Sequence, residues 1–136
     1  MADRGLFDMH CHIVPLVDDG AQSVKEAFAM LQMDYELGVR KIIVTPHFRR
    51  EMFETSPEIV KKHFLVLRRL AEKIGPDLKV FLGCEFHANV EMLEYLHADR
   101  VYSMAGSRYV LTEFSASTEE KYIRDRIYEL LSSGYK

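Results

Sequence analysis

Four segments of the chain carry side chains that can ligate cations or move protons. The opening stretch, "FDMHCHIVPLVDDGA" over 7–21, sets His10 and His12 two residues apart and follows them with Asp18 and Asp19. His47 stands in "VTPHF", Glu85 in "LGCEFH" and Glu113 in "LTEF". Residues i and i+2 of an extended segment point to the same side. His10 and His12 can therefore converge on one cation, while Met9 and Cys11 turn the other way into packing. Imidazoles joined by carboxylates suit zinc, manganese or iron, and each added carboxylate shifts the preference toward a harder ion such as manganese. Asp18 and Asp19 lie close enough in the following loop to add an oxygen, although "DDG" by itself also fits an ordinary turn. Glu113, on an otherwise apolar stretch, would be costly if buried without a partner, which calls for a cation.

Other reactive residue types have blander readings. His87 lies two residues beyond Glu85 and fits a ligand, a residue behind the ligands, or a surface position. His63 and His97 fall on helical stretches, where packing or solvation suffices. Cys11 and Cys84 have apolar neighbours and no CxxC partner, so both read as core thiols rather than nucleophiles.

The elements that must position these residues follow from the hydrophobic pattern. Brief β-type runs occur at 5–8, 41–45, 79–83 and 109–114, continuous and β-branched or aromatic, as strands buried on both faces tend to be. A first helix opens at Ser23, with Glu26 completing a capping box; it carries Val24, Phe28, Leu31 and Tyr35, and Gly38 can end it. A second opens between 55 and 58 with Pro57 in its first turn, and carries Val60, Phe64, Leu67, Ala71 and Ile74. A shorter helix fits "NVEMLEYL" between 88 and 98. The last opens at Ser117 with Glu120, carries Ile123, Ile127 and Leu130, and stops at Gly134.

Four βα units in this order predict an α/β fold of parallel strands with helices packed outside them. A closed eight-unit barrel takes ~250 residues, so four units amount to half a barrel or a small open sheet. Parallel α/β folds build their sites at the carboxyl ends of the strands. His10, His12, His47, Glu85 and Glu113 all fall there, which makes the exit of the first strand one wall of a shared polar pocket. A half-barrel leaves open edges on its outer strands and an exposed inner side, and these predict a homo-oligomer.

Composition sets the outer bounds. The 136 residues make one domain's worth of chain, 1–136, and 48% are apolar, enough for a core. A net charge of −3 gives no electrostatic argument for nucleic acid or an anionic membrane surface. There is no 18-residue apolar run to insert in a bilayer, and the N-terminus lacks the apolar stretch of a signal peptide. With only two cysteines, a disulfide framework is not expected. A cytoplasmic protein is the default.

In order and spacing, "DMHCHIVPLVDDGA", "VTPHF", "GCEFH" and "YVLTEF" resemble the PHP-type metal-dependent protein-tyrosine phosphatases, bacterial enzymes of capsular and exopolysaccharide synthesis. The resemblance covers essentially the whole chain. It implies half of a distorted (β/α) PHP barrel, and up to three metal ions in a complete site, commonly manganese. It further implies that His10, His12 and Glu85 hold one ion, that Glu85 bridges to a second also held by Glu113, and that Asp19 and His47 serve the third. Asp8 would orient a ligand histidine from behind. The implied substrate is a phosphotyrosine peptide, the tail of a bacterial tyrosine kinase, attacked at phosphorus by a metal-bound hydroxide. Arg49 and Arg50, directly after His47, are candidate catalytic contacts to phosphate. Family members continue with His-Pro-Glu-Arg and later Asp-x-His motifs, and the chain ends at Lys136 before either, so an incomplete domain is expected. The alternatives are a non-catalytic metal-binding or interaction protein, and another PHP phosphoesterase such as a histidinol-phosphate phosphatase, whose loop after the first strand generally does not read "DDGA".

Overall fold

The computed structural model describes residues 5–136. Its strands are β1 (Leu6–Cys11), β2 (Val39–Val44), β3 (His47–Phe48), β4 (Lys79–Leu82), β5 (Glu85–His87) and β6 (Leu111–Glu113). Its α-helices are α1 (Val24–Glu36), α2 (Pro57–Ile74), α3 (Met92–His97) and α4 (Glu120–Ser132). Every strand pairing is parallel, and helices alternate with the sheet segments, as the α/β reading expects.

Six strands stand where four runs were expected. The runs at 41–45 and 79–83 form β2 and β4, and beyond a break after each the chain resumes as the short β3 and β5, which were not expected. The strands fall into two sheets, one ordered β1-β2-β4 and the other β3-β5-β6. The break in the second strand falls at Thr45–Pro46, where proline has no N–H to donate to a ladder. The break in the third falls at Gly83–Cys84. Parallel bonding nonetheless carries across both breaks, through Gly83 N–H to Val44 O at 2.8 Å and Glu85 N–H to Pro46 O at 3.1 Å. The second sheet is thus a tilted continuation of the first, and it starts where the polar residues start.

The caps explain the helix boundaries. Ser23 is extended, and its hydroxyl accepts the Glu26 N–H at 3.0 Å, while the Glu26 carboxylate accepts the N–H of Gln22 at 2.7 Å. That is a capping box displaced by one residue on its return arm. Gly38 follows with φ +95, the left-handed turn that only glycine adopts without strain. In α2 the expected stripe is in place: Val60, Phe64, Leu67 and Ala71 are buried. In α1 the buried positions are Ala27 and Leu31, and Val24 is 43% exposed, so the stripe starts one turn later than expected. The small side chain at Ala27 lets the helix lie close against its neighbours.

The last helix departs further. It begins at Glu120 because Thr118 N–H bonds back to Ser115 O at 2.9 Å, a turn that forestalls the expected cap at Ser117. Of its expected stripe Leu130 is buried, Ile123 is half-buried and Ile127 is exposed, while Tyr122 and Arg126 are half-buried on the adjoining row. β1 also differs from the strand buried on both faces that was expected. Leu6, Phe7 and Met9 are 61%, 61% and 58% exposed, because β1 stands at the edge of its sheet with β2 as its single strand neighbour among the described residues. Met9 therefore faces outward rather than into packing, whereas Cys11 packs on the core as expected.

Two cores result. One is aliphatic and joins the first sheet to α1 and α2 through Ile13, Leu31, Ile42, Val44 and Leu67. The other is aromatic and joins the second sheet to α3 and α4 through Phe48, Phe86, Met92, Tyr95 and Leu130.

Candidate metal centre

Between the two cores the strand exits converge. The register of β1 against β2 shifts between Asp8 and Cys11, an irregularity of the bulge type that re-aims side chains. The fully buried Thr45 stabilises it: its hydroxyl lies 3.2 Å from Cys11 N and 3.3 Å from Cys11 O, beside the Thr45 N–H bond to Cys11 O at 2.9 Å. Past the shift, His10 Nε2 and His12 Nε2 approach the same oxygen, Glu85 Oε2, at 3.0 and 3.1 Å. His47 Nδ1 approaches that oxygen from the second strand at 3.4 Å, and Glu113 Oε2 lies 3.8 Å from the same nitrogen. On the other edge of the ring, His47 Nε2 is 3.7 Å from Asp19 Oδ1.

Three overlapping ligand groups emerge, each with its donor atoms within 4.8 Å of one another: His10, His12 and Glu85; His12, Asp19 and His47; and His47, Glu85 and Glu113. All six residues expected as ligands are brought together. His12, His47 and Glu85 each belong to two groups, which ties the three into one basin.

The donor set fits divalent cations. His47 Nδ1 and Glu113 Oε2 are both buried without a hydrogen-bond partner, although they face each other across the basin. Buried polar atoms are rarely left that way unless another partner is intended. Ionised carboxylates are acceptors only, so Asp19, Glu85 and Glu113 gathered around one basin would repel one another without positive charge between them. Mixed nitrogen and oxygen donors of this kind suit manganese, zinc or iron.

The supporting residues differ in part from those expected. Asp8 Oδ1 accepts the backbone N–H of His10 at 3.1 Å and lies beside Cys11 and Asp34, so it holds the strand rather than an imidazole ring. The ring is held by Asp18, whose Oδ2 lies 2.9 Å from His12 Nδ1. Hydrogen bonding to Asp18 raises the pKa of His12 against the opposing effect of its burial. Burial pushes the Asp18 carboxyl up, but bonds from His12, His47 and Gly20 outweigh it and hold the group below its usual range. Gly20 is required at this turn, because a Cβ there would stand 2.0 Å from His12 O. His87 is outside the three groups; its Nε2 lies 3.1 Å from Ser115 Oγ. Arg50 is engaged with Glu91, and Arg49 pairs through its backbone with Phe53. That pairing closes a tight turn and lays the Phe53 ring flat on His47, centroids 5.1 Å apart and planes 11° apart. Nothing in the sequence pattern singled out Phe53. His63, expected in a packing role, hydrogen-bonds Pro15 O at 2.7 Å, and Thr55 Oγ1 donates to Val17 O at 2.7 Å, so α2 and the residues before it tether the aspartate loop. A cavity of about 810 Å³ lies elsewhere between α2 and β4, lined by Phe64, Leu78 and Tyr102, and contains none of these ligands.

The profile of the capsular polysaccharide synthesis family CpsB/CapC matches residues 6–136. This chain belongs to the CpsB/CapC family. Among its CpsB/CapC relatives, the tyrosine-protein phosphatase CpsB of Streptococcus pneumoniae is 37% identical over 129 residues, covering 95% of this chain and 53% of the relative. The tyrosine-protein phosphatase YwqE of Bacillus subtilis is 29% identical over 130 residues, 96% of this chain and 51% of the relative. The fold superposes with a TM-score of 0.85 and 29% identity on a chain from the crystal structures of YwqE and CpsB, which are described as unique metal-dependent tyrosine phosphatases; 96% of this chain and 53% of that one are covered. The chain thus spans about half the length of the CpsB/CapC relatives it matches.

Proposed function

We propose that this chain supplies the metal-holding half of a phosphatase acting on phosphotyrosine protein, in control of capsular or exopolysaccharide synthesis. The observation that supports this reading is the convergence of His10, His12 and His47 on a single oxygen of Glu85, with Asp19 and Glu113 on either side. His10, His12 and Glu85 would hold one ion, His47, Glu85 and Glu113 a second, and His12, Asp19 and His47 a third, with manganese favoured over zinc or iron by the carboxylate share. When bound, such ions supply Lewis acidity toward a phosphoryl group and make water a better nucleophile.

The chain's own residues prepare that chemistry. The β1 bulge aims both histidines inward, the Asp18 carboxylate holds the His12 ring, and the Phe53 face shields His47 on one side. Arg49, two residues beyond His47, would meet phosphate at the rim, whereas Arg50 would first have to leave Glu91. The substrate is a phosphotyrosine segment, such as the tail of a bacterial tyrosine kinase, met in the cytoplasm. Among the described residues, no helix is long and apolar enough to cross a membrane. The exposed Leu6, Phe7 and Met9 of β1 support self-association of the chain, and its half-length coverage of the relatives supports reading 1–136 as an incomplete domain.

A second reading, a metal-binding protein without turnover, is favoured by the half-length coverage of the relatives. Assay of a chromogenic phosphate ester with manganese, using this chain and a version extended to the relatives' length, separates the two. Activity in the extended chain that chelation abolishes supports the phosphatase. Full turnover after thorough chelation, or Glu85→Gln binding manganese as the unaltered chain does, overturns the metal centre.

A further inference from the structure

We infer that Asp18 is a positioning residue: its carboxylate fixes the tautomer of His12 and ties the first strand exit to the second, so that both present ligands to one basin. The inference rests on the proposed metal centre and concerns a residue outside all three of its ligand groups.

The geometry is specific. The Asp18 side chain is 1% exposed. Its Oδ2 takes two bonds at once, from His12 Nδ1 at 2.9 Å and from the backbone N–H of His47, also at 2.9 Å. Its Oδ1 accepts the N–H of Gly20 at 3.0 Å. An ionised carboxylate is an acceptor only, with about four lone-pair sites. Three are occupied by these donors, so both oxygens already face the chain's own N–H groups. Asp19, its neighbour, is the opposite case: a side chain 64% exposed, directed at His47 Nε2. Of two adjacent aspartates, one faces the basin and the other faces its walls.

Two consequences follow. An acceptor at Nδ1 places the His12 proton there, and leaves the Nε2 lone pair directed at the side of the basin where Glu85 Oε2 lies, 3.1 Å away. A carboxylate behind a ligand imidazole also raises its basicity, and losing such a partner typically costs ~10–100-fold in metal affinity. The bond to His47 N–H is a second device. Pro46 cannot donate a ladder bond at the strand break, and Asp18 takes up the next N–H along, fixing where the second strand resumes. An asparagine of the same shape fails at this post, because its NH2 must face either the Gly20 N–H or the pair from His12 and His47.

Two measurements test this. Zinc, which is diamagnetic, is titrated into the chain and into Asp18→Asn, with Asp19→Asn as a comparison. The histidine ring nitrogens of the metal-free protein are read by 15N–1H NMR at alkaline pH, where the rings are neutral. The expected results are a 10–100-fold weaker zinc affinity in Asp18→Asn, and a His12 ring protonated at Nδ1 in the unaltered chain that loses this preference in the variant. Zinc affinity in Asp18→Asn within about twofold of the unaltered chain, or a His12 proton residing on Nε2 in the unaltered chain, overturns the inference. Should the unaltered chain bind no zinc, the metal centre fails, and the tautomer still decides the role of Asp18. That spectrum needs no variant, so a misfolded Asp18→Asn does not remove the test.

Discussion

The two cores on either side of the metal centre are built from different materials. The first is aliphatic, assembled by a six-residue strand pair and by α1 and α2, of 13 and 18 residues. The second is richer in aromatic rings, assembled around strands of two and three residues and a six-residue helix, with α4 adding Leu130 and the partly buried Tyr122. Phe48, Phe86 and Tyr95 meet there edge-on or tilted, with centroids 5.0 to 6.1 Å apart. Short elements cannot present a long stripe, so a few large rings must supply the burial. Three of the six candidate ligands, His47, Glu85 and Glu113, sit on this short-element side, on β3, β5 and β6, and the other three come from β1 and the loop after it. The lesson is that the long-element core carries the fold, while the ring cluster carries the precision of the centre.

Core truncations break this comparison most directly. Phe86→Ala should cost about 3–5 kcal/mol in urea unfolding and should also weaken zinc binding, because Phe86 anchors the strand between Glu85 and His87. Leu67→Ala should cost a comparable 2–5 kcal/mol, yet leave the zinc affinity of the folded protein unchanged. Equal loss of affinity in both would erase the division of labour. A smaller contrast lies in the caps. Ser23→Ala should destabilise by about 1 kcal/mol, whereas Glu119→Ala, whose side chain caps nothing, should stay within about 0.5 kcal/mol.

The two thiols sharpen the comparison without changing stability. Burial pushes the Cys84 thiol, in the ring cluster, up to about 12. Burial, helped by Asp8 and Asp34, raises that of Cys11 as well. Neither should react with a disulfide reagent at pH 8 in the folded protein. In mild urea Cys11, on the edge strand, should label first; identical rates would make the two regions one cooperative unit.

The smallest expected effect is a pH dependence of the metal-free protein at the seam. The folded-state pKa of His12 is raised by Asp18, so its contribution is complete below the ordinary 6.5 and lost as pH rises through the higher folded value. The folded-state pKa of Asp18 is lowered, so its contribution is present above the ordinary 3.8 and lost as pH falls through the lower folded value. Melting temperatures across a pH series should therefore be highest between these two values, and Asp18→Asn should flatten both limbs.

Much of the first region was legible in the sequence. The stripe of α2 repeats over 18 residues, and the strand runs around 41 and 79 fall in place. The convergence of the candidate ligands was legible too, because parallel strands deliver side chains to one end whatever the details between. The second region was less so. A two-residue strand has no period to read, and the divided strands are marked only by Pro46 and Gly83. The face of α4 was legible only in part: Leu130 is buried as expected, but Ile127 is exposed, and Arg126 lies against the Tyr122 ring on the adjoining row. Asp18 and Asp19 differ in role through turn geometry alone, and Phe53 reaches His47 through a chain reversal at Glu51, φ +66, that no spacing announces.

The strand β5 presents Glu85, Phe86 and His87 in strict alternation, with the middle ring 1% exposed. A slip of one residue would drive a carboxylate into the ring cluster and expel the phenyl group among the imidazoles, two errors committed together. Three residues thereby proofread their own alignment. An insertion or deletion at Cys84 should be among the least tolerated changes in the chain, far less than one in the exposed turn at Ala105 and Gly106.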